Sequence, residues 1–306
     1  MIEGYKVLIR QKDKKKTQSY GNTYNQYDLA SVTKVIVGIR VLQMVDENII
    51  NLKDPIYHYI PEFENERITI EDALTHKTGF KASSSQRYRL KGKELLEDIL
   101  SASDLMIEQS NNVLYSCLNF IVLGELIKRI DGSLEGSLKN HIFRPLNMCD
   151  TGFNPVEKSN TAPTEIHATR GLIKGVVHDT TAYNLGGISG NAGLFSSLED
   201  LEKLFDSLVE DDKILTNKMK NKIQETNVGG RSLAFNLSEE NELYHTGFTG
   251  PLVMINFSEV KYMILLTNRT YPSRDNHEYL QKREQLIEDF SKGVVDTKIL
   301  FDMIYP

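Results

Sequence analysis

The chain has 306 residues, 40% of them hydrophobic and 25% charged, the proportions of an ordinary soluble globular protein with ample chain for a core. A net charge of -6 excludes a basic face for nucleic acid, and the two cysteines, Cys117 and Cys149, form neither a disulfide framework nor a metal-ligand spacing. No run approaches the roughly 18 apolar residues of a membrane helix, and the start Met1-Ile2-Glu3-Gly4-Tyr5-Lys6 lacks a basic stretch followed by an apolar one, so a cytoplasmic protein is expected.

In chain order, Tyr5 to Ile9 is β-prone, Gln11 to Lys16 reads as a polar turn, and Thr17 to Tyr20 as a second weak strand. Val32, Val35, Ile36, Ile39, Leu42 and Val45 then fall on a 3.6-residue period and predict one core-facing helical stripe that fades at Asp46-Glu47-Asn48. Asp54-Pro55 and Ile60-Pro61 punctuate a loop. Thr69 to Leu74 predicts a short helix ending at the turn Thr75-His76-Lys77-Thr78-Gly79. Ser83-Ser84-Ser85 reads as exposed loop and Leu95 to Ala102 as helix. Asn111-Asn112 breaks the chain before Tyr115. Leu118 to Ile130 is helical, stopped by Asp131-Gly132. Asn154 to Lys174 is irregular, and Gly186 to Gly193 a glycine-rich loop. Ser197-Leu198-Glu199-Asp200 has the form of a capping box opening a helix to about Glu210. From Ser232 the pattern turns to strands: Leu233–Leu237, Leu243–Thr246 and the hairpin Leu252–Phe257 with Tyr262–Leu266. A last helix covers about Glu278 to Phe290. Length alone allows about two structural units. The pattern predicts one α/β (α+β) unit over 1–306, an antiparallel sheet built from both termini and flanked by helices (about 1–50 and 230–306), with an inserted, mainly helical region (about 51–229).

Chemistry concentrates at Ser31-Val32-Thr33-Lys34. Residues at i and i+3 of a helix lie about 5–6 Å apart at Cβ, so Lys34 can reach the Ser31 hydroxyl. A serine becomes a nucleophile when a nearby base takes its proton, and a lysine whose pKa is lowered by burial can be that base. Alone, S-x-x-K also fits an N-terminal helix serine beside a solvated lysine. Ser258-Glu259-Val260-Lys261 spells it too, between two apolar runs where a hairpin turn is predicted. Farther on, Tyr115-Ser116-Cys117 precedes a helix, and Tyr244-His245-Thr246-Gly247-Phe248 ends a strand at a glycine, where backbone can approach a ligand closely.

Taken in order, Ser31-Val32-Thr33-Lys34, Tyr115-Ser116-Cys117 and His245-Thr246-Gly247 resemble the three motifs S-x-x-K, Y-x-N and K-T-G or H-T-G of the serine beta-lactamase and penicillin-binding-protein superfamily, in particular its class-C-like branch of esterases and DD-peptidases. Flanking text agrees: Asp28-Leu29-Ala30, Leu74-Thr75-His76, Phe143-Arg144-Pro145-Leu146, Gly190-Asn191-Ala192-Gly193-Leu194 and Phe248-Thr249-Gly250. The likeness spans about residues 4 to 270. It implies a beta-lactamase-like fold, with Ser31 as acylated nucleophile, Lys34 as its base or proton relay and Tyr115 as second general base. It also implies an oxyanion hole from the N–H groups of Ser31 and Phe248, lined by Thr246 and Gly247. His245, in place of the usual lysine, would bear on Tyr115 or on a substrate carboxylate. Lys77-Thr78-Gly79 spells the third motif too early in the chain and is assigned a structural turn, as is His76. His178-Asp179 stands where class-C-like esterases often carry His-Asp near substrate. Cys117 replaces the family's Asn, either as a cleft residue that disfavours amides or as a small filler under the following helix.

The expectation is therefore a serine hydrolase without metal or other cofactor, acting through an acyl-enzyme on a small ester, amide or peptide. The alternatives are a penicillin-binding DD-carboxypeptidase or beta-lactamase, disfavoured by the expected cytoplasmic location, and a non-catalytic ligand-binding relative. No nucleic-acid or membrane partner is expected. The acyl group, the leaving group and the oligomeric state stay open.

Overall fold

The computed structural model describes residues 2–106, 113–155 and 157–294. The N-terminal hairpin pairs β1 (Gly4–Gln11) with β2 (Lys14–Gly21), Tyr5 opposite Tyr20. Its turn is only Lys12-Asp13, with Lys12 at φ 54°. Lys14-Lys15-Lys16 therefore belongs to the edge strand and not to the expected turn, where charge protects an open edge.

After the short strand β3 (Tyr27–Asp28) a 3-10 turn, Ala30–Val32, leads into α1 (Thr33–Asp46). This helix is buried from Thr33 to Met44 on every side, not along one stripe. Its polar members are individually paired, Arg40 with Asp131 at 3.0 Å and with Glu47 at 3.3 Å. Then come α2 (Ile70–Leu74), opened by a capping box between Thr69 and Asp72, α3 (Gly92–Leu100), α4 (Cys117–Asp131), stopped by Gly132 at φ 82°, and α5 (Leu134–Leu138). The α4 helix is the hub of this region, packing on α1, α2, α3 and α5. Ser84, expected in an exposed loop, is buried. The expected break at Asn111-Asn112 lies outside the described residues.

The stretch expected to be irregular contains a hairpin, β5 (Pro163–His167) with β6 (Gly171–Lys174), after a small strand β4 (Gly152–Phe153). Exposed Ile166 and Leu172 on it blur the inside–outside alternation by which strands are read. A short helix α6 (Thr180–Asn184) precedes β7 (Leu194–Ser196), which lies between β3 and β4. In α7 (Leu198–Glu210) only half of the capping box forms. Ser197 accepts from the Asp200 N–H, but the Asp200 carboxylate accepts from Asp150 N–H at 2.7 Å and Thr151 Oγ1 at 2.9 Å. The helix α8 (Asn217–Glu225), not foreseen, follows. The expected strand Leu233–Leu237 contracts to β8 (Asn236–Leu237), because Leu233, Ala234 and Phe235 turn inward onto the core. A Cβ on Gly38 would meet Ala234 Cβ at 2.2 Å, so this segment touches the α1 backbone.

The strands β9 (Leu243–Thr246), β10 (Leu252–Asn256) and β11 (Lys261–Thr267) complete a six-stranded antiparallel sheet of order β2-β1-β11-β10-β9-β8. Tyr5 faces Thr267 and Gln11 faces Lys261 across β1 and β11, so the two ends of the chain build one sheet, as expected. Period-2 alternation sends Leu8, Val253, Ile255, Ile264 and Leu266 to the core around α1. It sends Val7, Ile9, Met254, Met263 and Leu265 to the other face, under α9 (His277–Ser291). No helix among the described residues is long and apolar enough to cross a membrane.

Candidate active site

Ser31 sits on the 3-10 turn that opens α1, at the end where helical N–H groups lack partners within the helix. The turn is entered through Ala30 at φ 45°, an unusual conformation for a residue with a Cβ. Buried Asp28 holds it there: one carboxylate oxygen accepts from Ala30 N–H and the other from His178 N–H, each at 2.8 Å. Burial, against those two hydrogen bonds, raises the Asp28 pKa to about 6.

Two of the motif residues converge on one atom of a third, Ser31 Oγ. Lys34 Nζ donates to Ser31 Oγ at 2.9 Å, and Tyr115 Oη donates to it at 2.8 Å. Lys34 is fully buried, and its ammonium also donates to Asn191 O at 2.9 Å and to Cys117 Sγ at 3.6 Å. Its pKa runs opposite to expectation. Burial, the largest single influence, pulls it down, but the electrostatic influence of Cys117 and Tyr115 and a hydrogen bond with Tyr115 outweigh it, and the value is raised. Burial likewise raises the Tyr115 phenol, against the pull of Lys34.

Tyr115 is pinned from behind by His76. The backbone carbonyl of His76 accepts from Leu114 N–H at 3.0 Å, and its Nδ1 accepts from Ser116 N–H at 3.2 Å. An N–H can only donate, so the His76 proton sits on Nε2. Its ring lies 4.7 Å from that of Tyr115, and burial holds it neutral. Asn119, on the same helix as Cys117, faces away from the cleft toward Thr78 Oγ1 (2.7 Å) and His76 (3.0 Å). The turn Lys77-Thr78-Gly79 is thus structural. So is the second S-x-x-K: Ser258 bonds Asn256 in the β10–β11 turn, and Lys261 pairs with Glu242 at 2.7 Å.

The third motif closes the site from β9. Burial, then the Lys34 ammonium, depresses His245 to about 3, so it is a neutral ring that carries no charge for a substrate carboxylate. It lies 6.3 Å from the Tyr115 ring, and its Nδ1–H donates to Thr246 O at 3.0 Å. A Cβ on Gly247 would meet Leu29 O at 2.7 Å. The glycine therefore serves a close approach to the Ser31 turn and not to a ligand. Phe248, 47% exposed, stacks on His178 at 5.4 Å. Its N–H has no acceptor among the described residues. Ser31, Ala192, His178, Asp179 and Phe248 line one cavity of about 200 Å³. Larger hollows of about 450, 550 and 750 Å³ elsewhere contain none of Ser31, Lys34 and Tyr115.

Several neighbours were not legible in the sequence. Asn191 acts through a backbone carbonyl, which no residue type announces. Arg231 places its guanidinium 5.3 Å from the Tyr115 ring centre with no carboxylate at ion-pair distance among the described residues. Glu165, on the unforeseen hairpin, accepts from His178 Nε2–H at 2.8 Å and pairs with Arg274 at 2.6 Å, fixing the wall behind Phe248. Among the described residues no group of three or more His, Cys, Asp and Glu could hold a metal.

The Beta-lactamase family model matches residues 3–286. A Salmonella agona protein named "Putative D-alanyl-D-alanine carboxypeptidase" is 28% identical over 304 residues, covering 81% of this chain and 70% of its own. Among solved structures, EstCE1, a hydrolase with promiscuous acyltransferase activity, superposes with a TM-score of 0.74 at 19% identity, covering 92% of this chain and 93% of its own. A class C beta lactamase from Rhodobacter sphaeroides does so with 0.72 at 16% identity, covering 94% and 95%. At these identities the structural likeness speaks for the fold. With the profile match across nearly the whole chain, it places this protein in the Beta-lactamase family of hydrolases, within the serine beta-lactamase and penicillin-binding-protein superfamily.

Proposed function

We propose that this protein is a serine hydrolase that cleaves a small ester or amide through an acyl-enzyme on Ser31. The observation that carries the reading is the convergence of Lys34 Nζ and Tyr115 Oη on Ser31 Oγ at 2.9 and 2.8 Å. At rest both partners hold their protons, so the reactive form is the one in which Tyr115 has lost its own. The phenolate is then stabilised by Lys34, whose Nζ lies 5.1 Å from the ring centre, and by Arg231. Tyr115 accepts the Ser31 proton as Oγ bonds to the carbonyl carbon. The carbonyl oxygen becomes an oxyanion facing the N–H groups of Ser31 and Phe248, donors worth about 10²–10³ in rate each. Collapse breaks the bond to the leaving group, which takes the proton from Tyr115 and departs as alcohol or amine. Water repeats the sequence: Tyr115 takes its proton, the oxygen adds to the acyl carbon, and Ser31 leaves with that proton as the acid is released.

Cys117 supports esters over amides. Its thiol, half-buried beside Lys34, is a weak donor and acceptor and gives an acyl-side amide little to pair with. The identity to the Salmonella protein favours a second reading, hydrolysis of a D-alanyl peptide. The presence of Ser31, Lys34 and Tyr115 in one hydrogen-bonded group argues against a purely binding role.

The test is covalent labelling with a fluorophosphonate, mapped by intact mass and peptide digestion. Ser31 takes the label, and Ser31→Ala loses both label and turnover; EDTA leaves turnover unchanged. A label on Ser258, or full activity in Ser31→Ala, overturns the reading. A panel of p-nitrophenyl esters, a chromogenic cephalosporin and D-Ala-D-Ala peptides separates esterase from the second reading.

A further inference from the structure

The turn from Gly247 to Gly250 joins β9 to β10 and presents Phe248 to the cavity of Ser31. Both of its ends are held by α9. Tyr279 and Arg283 stand four residues apart on that helix and so share a face. The Tyr279 hydroxyl donates to Gly250 O, and Arg283 Nη1 donates to Gly247 O at 2.9 Å. Arg269 Nε donates to the next carbonyl, Phe248 O, also at 2.9 Å.

Arg269 and Arg283 are 4% and 8% exposed, and neither has a carboxylate at ion-pair distance among the described residues. The Nε of Arg283 has no hydrogen-bond partner among the described residues. Burying a guanidinium without a counter-charge is unfavourable, and these two are met by a pair of successive backbone carbonyls, with Arg269 also donating to Arg274 O at 3.1 Å.

The consequence follows from the planarity of the trans peptide. The Gly247 C=O and the Phe248 N–H belong to one plane and point in opposite directions. Fixing the carbonyl toward α9 fixes the N–H away from it, and the Gly247 backbone on that turn lies against Leu29 and Ala30, next to Ser31. A cation on the carbonyl also draws electron density from the peptide, which strengthens its N–H as a donor.

We propose that Arg283 is a positioning residue for the oxyanion hole: from the C-terminal helix it orients and polarises the Gly247–Phe248 peptide whose N–H receives the developing negative charge. This rests on the proposed acyl-enzyme reading and extends it to a residue outside the three motifs, some fifty residues after Arg231 in the chain.

The experiment compares wild type, Arg283→Met and Arg283→Lys on a p-nitrophenyl ester, together with inhibition by an arylboronic acid, whose tetrahedral adduct on Ser31 places an oxygen in the oxyanion hole. Arg283→Met is expected to lower kcat at least tenfold, to weaken the boronate by a similar factor and to leave KM within about threefold. Arg283→Lys, which keeps a cation, recovers part of both losses. A purely structural role would not make kcat and boronate affinity fall together at constant KM. Unchanged kcat and boronate affinity in a folded Arg283→Met, or no recovery in Arg283→Lys, overturns the proposal. Where Arg283→Met does not fold by thermal unfolding, Arg283→Gln decides on the same two readouts. Failure of the underlying reading looks different, since Ser31→Ala would then keep its activity whatever Arg283 does.

Discussion

Ser31 Oγ accepts from an ammonium and from a phenol, and both hold their protons at neutral pH. The hydroxyl is thus in place before it is activated, and Tyr115 decides when that happens. Among the described residues, the charged groups facing Tyr115 are Lys34 and Arg231; His76 and His245 lie against it as neutral rings. The Tyr115 phenol is raised above its ordinary value, so the supply of base grows with pH throughout, and kcat/KM should keep climbing with no plateau below about pH 10. Tyr115→Phe should lower kcat by about 10²–10⁴. Arg231→Gln removes one of the two cations and should move the rising limb up by about one pH unit, while Arg231→Lys returns most of it. Profiles of kcat/KM for the three proteins decide, and a limb that stays where it was in Arg231→Gln removes Arg231 from the chemistry. The motif spacing made Ser31, Lys34 and Tyr115 legible because those residues act through their side-chain types. The upward direction of the Lys34 shift was not, because it depends on a cysteine and a tyrosine that arrive from 80 or so residues away.

Among the elements, the turn carrying Ser31 is held from two sides. Asp28 ties it to the 178 loop, and Gly247 brings β9 against Leu29. Asp28→Asn retains one acceptor where two N–H groups need one, and the orphaned donor should cost about 1–3 kcal/mol, read by urea or thermal unfolding. The pH dependence carries a second signature. With a folded pKa of about 6 against about 4 unfolded, the folded state holds a proton that the unfolded state has lost. The Asp28 contribution to stability is therefore present below about pH 4 and declines as pH rises to about 6. That decline should vanish in Asp28→Asn; equal stability at every pH would refute the assigned role. Helix ends were marked in the sequence, at Thr69, at Ser197 and at Gly132, because capping is local chemistry, although of the box expected at Ser197 only the serine half forms. The β5–β6 hairpin and α8 were missed because the first exposes apolar side chains and the second is mostly polar, Asn217-Lys218-Met219-Lys220-Asn221-Lys222. Neither leaves the periodic trace on which such reading depends.

At the scale of the molecule, one sheet separates two cores, with α1 and the helical region on one side and α9 on the other. The proposed site lies on the first side, while the α9 face is a thinner layer that still reaches the site through Arg283. Phe290 anchors that layer at 2% exposure. Phe290→Ala should reduce the unfolding free energy by about 3–5 kcal/mol while leaving KM near wild type at temperatures where the protein is folded; a loss below about 1 kcal/mol would mean that α9 is not bound as described. The amino-acid sequence by itself determined the strand runs of β1, β10 and β11, one buried face of α1, several helix ends, and the order of motifs that identifies the family, since each is written in residue types at short range. Tertiary structure alone decided that Gly247 serves Leu29, that His245 is uncharged, that Cys117 lies beside Lys34, and that Arg231 and Arg283 have no carboxylate at ion-pair distance among the described residues. The physical reason is common to all of these. Burial, charge and peptide orientation are set by neighbours distant in the chain, and no local pattern records which neighbours those will be.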